Sequence, residues 1–181
     1  MELEQQAAGC TKCPLAAGRT NVVFGTGSAN ADLMFVGEGP GAEEDRQGLP
    51  FVGRSGQLLD RLLLEETGLT RDACYIANCV KCRPPGNRDP LPGELDACHP
   101  YLAGQLAEIK PRVVVTLGNF ASKRLLGTEV GITKLRGQAY PFGDGMLVPT
   151  FHPAAALRSG GETVAAMRAD LVRAKQLLAG A

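Results

Sequence analysis

The segment from Gly37 to Gly53, GEGPGAEEDRQGLPFVG, concentrates glycines and acids ahead of an aromatic residue. Glycines let backbone N–H groups approach a flat ligand closely, and a carboxylate among them can polarise a water molecule. The spacing matches neither G-x-G-x-x-G nor a P-loop, and the acids would repel a phosphate. The acids could instead cap a helix N-terminus, which we expect for Asp45 and keep as an alternative for Glu43. The segment therefore predicts a site for a ligand other than a phosphate chain.

Three further side chains could complete such a site. Phe51 could stack on a flat ligand, although one aromatic residue after a turn is more often part of the core. Asn78 offers a donor and an acceptor side by side, as reading the edge of a base requires. His152, followed by Pro153, could stabilise developing charge, although a lone histidine is usually structural. Together these residues indicate recognition of a base.

The cysteines indicate a metal centre. Six are present, and Cys10 and Cys13 are spaced so that two thiolates reach one centre. The four that could serve as ligands are Cys10, Cys13, Cys82 and Cys98. Such a set suits either a structural zinc or an iron-sulfur cluster, and the wide spacing of the second pair favours the cluster. Cys74 and Cys79 lie within an apolar run, where we expect buried, unreactive thiols.

Length and charge exclude several classes of protein. The chain has 181 residues, 44% of them hydrophobic, which predicts a single domain over residues 1–181. Its 19 Lys and Arg residues balance its 19 Asp and Glu residues, so no overall charge attracts a polyanion. No apolar run reaches the length of about 18 residues that spans a bilayer, and the first residues lack a secretory signal. We expect a cytoplasmic monomer with no membrane partner.

Four apolar runs predict the strands that must position these residues. They are bounded by turn formers and lie at 33–37, 74–80, 112–118 and 146–151. Segments with helical spacing separate or follow them, at 55–69, 93–111, 119–127 and 161–180. We expect Gly68 to end the first of these helices and Pro100 to bend or interrupt the second. Residues 83–93, RPPGNRDPLPG, predict a loop.

Strands that alternate with helices predict a parallel sheet covered on both faces. In such a sheet, ligands bind at the carboxyl ends of the strands. The carboxyl ends of the four predicted strands lie at or next to Gly37, Asn78, Gly118 and His152, and Asn78 is expected to end the second strand. We therefore expect these four positions to converge on one crevice.

Several motifs, in this order, resemble the family 4 uracil-DNA glycosylases, the iron-sulfur branch found in bacteria and archaea. They are GEGPGAEED, LPFVGRSGQLLD, YIANCVKCRPPGNRDPLPGE, VTLGNFA and FHPAAALR. The resemblance extends from Cys10 to about Arg158. It implies a single three-layer α/β/α domain with a central, mainly parallel four-stranded sheet. It also implies a DNA repair enzyme that flips uracil out of DNA and hydrolyses its N-glycosidic bond, leaving an abasic site.

The resemblance further implies roles for individual residues. Those expected to bind uracil are Glu38, Gly39, Phe51, Asn78 and His152. The cysteines Cys10, Cys13, Cys82 and Cys98 are expected to bind a structural [4Fe-4S] cluster. His152 would stabilise the charge that grows on the departing base. Glu38 is the first choice for the residue that activates water, and Glu44 and Asn87 are alternatives.

Contact with uracil-containing DNA is expected to be local. Leu157 and Arg158 resemble the loop that wedges into the base stack where the nucleotide leaves. Phosphate contacts are expected among Lys81, Arg83, Arg88, Arg54 and Lys134, although each of these could be an ordinary solvated charge. The zero net charge predicts modest affinity. The loop at 83–93 has no histidine, so we expect turnover and not a permanent adduct with DNA.

Two other functions compete with this prediction. One is an iron-sulfur module that binds DNA without catalysis, against which the presence of Glu38, Asn78 and His152 argues. The other is a zinc-stabilised nucleotide-binding protein of the doubly wound type, against which the acidic loop argues. Formation of abasic sites would separate the first from a glycosylase, and absorption near 400 nm would exclude zinc.

Overall fold

A computed structural model of the protein describes residues 2–180, so Met1 and Ala181 of the predicted domain lie outside the described residues. One sheet forms the centre of the fold. Its six strands are β1 (Thr26–Gly27), β2 (Leu33–Gly37), β3 (Tyr75–Asn78), β4 (Val113–Leu117), β5 (Tyr140–Phe142) and β6 (Gly145–Thr150). The four apolar runs of the sequence correspond to β2, β3, β4 and β6.

The strand order is β1-β3-β2-β4-β6-β5. The four inner strands are parallel, whereas β1 and β5 pair antiparallel at the two edges. The prediction of a four-stranded sheet was therefore wrong in strand number, although the four expected strands form the parallel centre. The edge strands have only two and three residues, and β5 contains Pro141, so neither produces an apolar run that could be recognised in the sequence.

Helices connect the strands. They are α1 (Glu2–Ala8), α2 (Leu15–Gly18), α3 (Ala42–Gln47), α4 (Arg54–Thr67), α5 (Pro92–Ile109), α6 (Asn119–Leu126), α7 (Ile132–Leu135), α8 (Pro153–Ser159) and α9 (Gly161–Gly180). Short 3₁₀ turns lie at Arg71–Ala73 and Pro85–Asn87. Gly68 ends α4 in the left-handed conformation, as predicted. Pro100 does not interrupt α5, which is assigned as one helix across it.

The helices form a layer on each face of the sheet. Alternate strand residues point to opposite faces, so Leu33 and Phe35 pack with α4, α8 and α9, whereas Met34 and Val36 pack with α5 and α6. Both faces of the inner strands are therefore buried, which explains their continuous apolar sequences. The result is the three-layer α/β/α arrangement that was expected.

A third apolar cluster lies outside the two main layers. It joins the N-terminal segment, through Ala7 and Leu15, to Val80 and to Tyr101 of α5. The four cysteines that were predicted to bind a metal centre belong to it or pack against it. The N-terminal segment is thus attached to the rest of the fold where these cysteines lie.

Candidate active site

A cavity of about 850 Å³ opens at the carboxyl ends of the parallel strands. Its lining includes nearly all the predicted site residues: Glu38, Gly39, Glu44, Phe51, Asn78, Asn87, His152 and Arg158. Gly118 and Asn119, which follow β4, also line it. The predicted convergence of the segments that follow the four strands is therefore confirmed.

The rings of Phe51 and His152 both line this cavity and lie in contact with each other. Their centroids are 5.7 Å apart and their planes are inclined by 33°. Phe51 is buried, and its ring also packs against the core between the sheet and α4. The side of the ring that meets the cavity provides a flat apolar surface on which a planar ligand could stack.

His152 is fixed in one orientation by the start of α8. It is the N-cap residue of this helix, and its Nδ1 accepts a hydrogen bond from the backbone N–H of Ala154 at 3.0 Å. Burial lowers the pKa of His152 to about 4, and the positive charge of Arg158 acts in the same direction. The ring is therefore neutral at pH 7. Because Nδ1 is an acceptor, the proton of the neutral ring lies on Nε2, which can donate a hydrogen bond.

Asn78 ends β3 with an unpaired polar atom. The residue is 1% exposed, and its Oδ1 is buried with no hydrogen-bond partner. A buried amide oxygen without a partner is costly in a folded protein, and such an atom calls for an explanation. A ligand that donates a hydrogen bond in the cavity would supply the missing partner.

Glu38 lies directly after β2 and is half-buried. Burial, together with the weaker effect of repulsion from the neighbouring carboxylate of Asp89, raises the pKa of its carboxyl group to about 7. A carboxylate with a pKa near the working pH is suited to accept a proton. Sequence reasoning missed Asp89, which lies in the loop at 83–93 and lines the cavity beside Glu38.

The carboxylate of Glu44 is occupied by backbone amides. Oε1 accepts a hydrogen bond from the N–H of Gly41 at 3.1 Å. Oε2 accepts from Val52 at 3.1 Å and from Gly53 at 3.0 Å. Glu44 therefore joins the start of α3 to the loop that carries Phe51, and its oxygens are engaged in that connection.

The other acids of this segment do not behave as expected from the sequence. Asp45 was predicted to cap a helix, but its carboxylate accepts hydrogen bonds from the backbone N–H groups of Thr20 and Asn21. The capping contact belongs to Glu44, and Glu43 pairs with Arg46 on the exposed face of α3. The prediction failed for Asp45 because its partners lie about 25 residues earlier in the chain.

Three glycines let these groups approach one another. A Cβ added at Gly37 would lie 2.5 Å from Oδ1 of Asn78 and 2.6 Å from Cζ of Phe51. One added at Gly118 would lie 3.1 Å from Cβ of His152, and one added at Gly56 would overlap the carbonyl oxygen of Phe51. The side chains of the site are therefore packed directly against backbone that has no Cβ.

Two candidate DNA residues lie on a helix and not in the predicted loop. Leu157 and Arg158 belong to α8, which begins directly after His152. Leu157 is 42% exposed and Arg158 lines the cavity. Pro153 occupies the first position of this helix, where proline favours helix formation, so the residues after His152 form a helix.

The basic residues predicted to contact phosphate separate into two groups. Arg54, which lines the cavity, and Lys134 are exposed. Arg88 forms a two-point ion pair with Glu94, at 2.8 and 2.9 Å, and Arg83 donates to Oδ1 of Asn87 at 2.7 Å. Their guanidinium groups already have protein partners.

Lys81 was wrongly assigned to the surface. It is 1% exposed, and its Nζ donates to the carbonyl of Asn78 at 2.9 Å and to Oε1 of Gln105 at 2.6 Å. It cannot contact DNA in this structure. The error arose because the sequence surrounds Lys81 with polar and turn-forming residues, whereas the fold covers it with α5.

The four candidate metal ligands line one small cavity: Cys10, Cys13, Cys82 and Cys98. No disulfide forms among the described cysteines, and no group of three or more potential ligands in residues 2–180 is arranged around a single ion. Nη1 of Arg19 lies 3.6 Å from Sγ of Cys82, and the N–H of Lys81 donates to Sγ of Cys98 at 3.2 Å. Such donors toward sulfur suit thiolate ligands.

Cys74 and Cys79 are buried away from this group, as predicted. Burial raises the pKa of the Cys74 thiol to about 11 and that of the Cys79 thiol to about 12. Both thiols are therefore protonated at neutral pH and behave as small apolar groups.

Within residues 2–180, none of the helices is both long enough and apolar enough to pass through a bilayer. Residues 24–175 match the family model described as the uracil DNA glycosylase superfamily. This range contains the whole sheet and every residue that we have placed in the larger cavity.

Several curated relatives are type-4 enzymes of that superfamily. A type-4 uracil-DNA glycosylase of Thermotoga maritima is 46% identical over 172 residues, which cover 93% of this chain and 89% of the relative. Those of Saccharolobus solfataricus and Sulfurisphaera tokodaii are 47% and 45% identical, over 82% and 86% of this chain and 72% and 74% of their own lengths. With the family match and the site geometry, these similarities place the chain in the uracil-DNA glycosylase superfamily, among the type-4 enzymes.

Proposed function

We propose that the protein is a DNA repair enzyme that hydrolyses the N-glycosidic bond of deoxyuridine in DNA and leaves an abasic site. The observation that carries this function is the unpaired, buried Oδ1 of Asn78 in a cavity that also contains Phe51 and a neutral His152. Uracil in a duplex is stacked and paired, so the nucleotide must first be extruded into this cavity.

Asn78 and Phe51 would recognise the extruded base. Oδ1 of Asn78 would accept a hydrogen bond from N3–H of uracil, and its amide N–H would donate to O4. Cytosine has no hydrogen on N3 and carries a donor at position 4, so both contacts would be lost and buried polar groups would remain unpaired. Stacking on Phe51 would recover part of the cost of extrusion.

His152 would stabilise the departing base. As the glycosidic bond breaks, negative charge grows on the uracil ring and positive character on the sugar. A neutral histidine with its proton on Nε2 can donate to O2 without a prior change of protonation. Backbone N–H groups of the loop at Glu38 and Gly39 would assist it.

Glu38 would act on the sugar side of the reaction. It would orient a water molecule, accept its proton and face the positive character of the sugar. Three features support Glu38 over the alternatives: its raised pKa, the occupation of Glu44 by three amides, and the hydrogen bond between Asn87 and Arg83. Glu44 and Asn87 would then shape the loops on either side of the base.

DNA would contact the rim of the cavity. Leu157, which is exposed on α8 and precedes the cavity-lining Arg158, would fill the space that the extruded nucleotide leaves. Arg54 and Lys134 would contact phosphates. The residues assigned to the base and to the sugar line one cavity of a single chain. We therefore propose that the protein acts as a monomer folded as one domain, and we further propose that it is cytoplasmic.

The cysteines Cys10, Cys13, Cys82 and Cys98 would hold a [4Fe-4S] cluster, which their shared cavity and the neighbouring donors support. When bound, the cluster would supply a covalent link between the N-terminal segment, the segment that follows β3, and α5. None of the four cysteines lines the larger cavity, and we assign the cluster no chemical step.

The proposed function can be tested on oligonucleotides that differ in one base. Purified protein is incubated with single- and double-stranded DNA that contains uracil, cytosine or thymine at one position, and abasic sites are detected as alkali-labile breaks. We expect breaks only at uracil, and loss of cleavage in Glu38→Gln. Binding to uracil-containing DNA without breaks would instead favour the non-catalytic DNA-binding module.

A further inference from the structure

Phe51 has an unusual backbone conformation. Its φ angle is +51°, in the left-handed region that residues other than glycine seldom adopt. A non-glycine residue in this region is strained, and it keeps this conformation only where its surroundings impose it. The orientation of the Phe51 ring, 5.7 Å from His152, depends on this conformation. The groups that stabilise the loop are therefore relevant to the site.

Arg71 provides the main contacts to the carbonyl groups of this loop. Its Nη1 donates to the carbonyl of Pro50 at 3.1 Å and its Nη2 donates to that of Phe51 at 2.6 Å. Its Nε donates to Oδ1 of Asp60 on α4 at 2.9 Å, which fixes the guanidinium plane. The Arg71 side chain is only 23% exposed.

The other side of the loop is fixed by an acid. Oε2 of Glu44 accepts hydrogen bonds from the N–H groups of Val52 and Gly53, as described above. A cation therefore binds the carbonyls of residues 50 and 51, and an anion binds the amides of residues 52 and 53. Gly56 allows the Phe51 carbonyl to approach α4, where a Cβ would block it.

We infer that Arg71 is a positioning residue for uracil excision: by binding the Pro50 and Phe51 carbonyls, it maintains the loop conformation that presents the Phe51 ring to the base. Arg71 does not line the cavity, so it would act through Phe51 and not on the substrate. The inference rests on the proposed stacking role of Phe51. If the inference holds, Arg71 contributes to binding of the base although it does not contact the base.

The first test compares substitutions at Arg71. Arg71→Met removes the donors but keeps the length of the side chain, and we expect kcat/KM on uracil-containing DNA to fall roughly tenfold. Inhibition by free uracil should weaken by a similar factor. Arg71→Lys, which retains the charge and one donor, should be intermediate. Arg61→Met, an exposed arginine of α4 outside these contacts, is the matched control and should be unchanged.

The decisive test repeats Arg71→Met in a Phe51→Ala background. Phe51→Ala alone should lower kcat/KM by roughly ten- to hundredfold, since stacking on the base is lost. If Arg71 acts through the ring, Arg71→Met should cause little further loss in this background. Thermal unfolding of each variant is measured so that all assays are run well below the transition. Should Arg71→Met fold poorly, Arg71→Lys and Asp60→Asn replace it in the same comparison.

The two ways of failing are distinguishable. Equal losses from Arg71→Met with and without the Phe51 ring would overturn the positioning role and leave the proposed function intact. An unchanged Phe51→Ala enzyme would show that the ring does not stack on uracil, which would overturn the proposed recognition of the base and with it the role of Arg71. Loss of activity without weaker inhibition by free uracil would also count against Arg71.

Discussion

Glu38 and His152 have pKa values shifted in opposite senses by the same cavity. Burial disfavours the charged form of each group, which raises the pKa of a carboxyl group and lowers that of an imidazole. Glu38 has a pKa of about 7 and His152 a pKa of about 4. Above pH 7 the cavity therefore contains a carboxylate and a neutral imidazole. This is the combination that the roles proposed for Glu38 and His152 require.

This arrangement predicts the pH dependence of the enzyme. As pH falls through about 7, Glu38 becomes protonated and kcat/KM should decrease, whereas His152 remains neutral until about pH 4. Asp89→Asn removes one cause of the raised pKa of Glu38, so the decrease should move to lower pH. The measurement is kcat/KM from pH 5 to 9 for both proteins. An identical profile in Asp89→Asn would contradict the coupling between the two acids.

Asn78 permits a second prediction. In Asn78→Asp the side chain loses the donor that would face O4 of uracil, and a carboxylate would repel that oxygen. We expect kcat/KM on uracil to fall by roughly ten- to hundredfold or more. Cleavage of matched uracil and cytosine substrates by the variant and the parent measures the effect. Unchanged cleavage of uracil would remove Asn78 from the recognition of the base.

At the residue level, side-chain types, positions along the chain and the family resemblance predicted most of the residues that meet in the cavity, although not Asp89. They were insufficient for roles that depend on the path of a loop. The three amides bound by Glu44 come from residues 41, 52 and 53, and only the folded loop brings them together. The tautomer of His152 depends likewise on the N–H of Ala154, which the start of α8 directs at Nδ1.

At the level of elements, the end of β2 determines the shape of the site. Gly37 is the last residue of this strand, and both Asn78 and Phe51 pack against its α-carbon. The strand and the two side chains therefore form one unit. A change at Gly37 should affect recognition even though glycine has no side chain to contact the base.

Gly37→Ala is the corresponding experiment. The added methyl group would lie 2.5 Å from Oδ1 of Asn78, so either the amide or the Phe51 ring must move. A displacement of this size should lower kcat/KM by roughly a hundredfold. Gly161→Ala is the control, because nothing lies within 4 Å of a Cβ at that position. Equal activity of the two variants would contradict the close packing at Gly37.

The sequence predicted the inner elements better than the outer ones. The inner strands are buried on both faces and produce continuous apolar runs, so they could be recognised. The path of residues 79–82 could not be recognised in the sequence. Lys81 is buried there by contacts with Gln105 and Asn78, which only the tertiary structure creates. A buried lysine is rare, and its sequence neighbours did not reveal it.

At the level of the whole molecule, the N-terminal segment depends on the cysteine group. Within residues 2–180, the buried residues of α1 and α2 belong to the third apolar cluster alone. Cys10, Cys13, Cys82 and Cys98 belong to this cluster or pack against it. A bound cluster would therefore add a covalent connection where the apolar contact is small. Its loss should affect stability more than recognition of the base.

Cys98→Ser tests this expectation. We expect loss of absorption near 400 nm and a lower unfolding temperature, with earlier proteolytic cleavage near residues 10–20. Cys74→Ser is the matched control, because that thiol lies outside the cysteine cavity, and it should keep the absorption. Bound zinc in the parent protein, measured by elemental analysis, with no iron would contradict the cluster.

The balanced charge of the chain leads to a prediction about DNA affinity. With 19 basic and 19 acidic residues, phosphate contacts must come from a few exposed groups such as Arg54. Arg54→Gln should weaken binding and reduce the slope of log K against log salt concentration by about 1. Arg124→Gln is the control, since Arg124 is paired with Asp96 at 2.7 Å. An unchanged slope would place the phosphate contacts elsewhere.

The short antiparallel strands at both margins of the sheet affect how the protein behaves in a crowded solution. An extended peptide that adds to an edge of the sheet could pair with only two residues of β1 or three residues of β5. Pro141 of β5 has no backbone N–H to donate to such a peptide. The four parallel strands are longer than these edge strands and could serve as templates for aggregation, but they lie between the two edge strands. The protein should therefore stay dispersed at high concentration without relying on net charge for mutual repulsion.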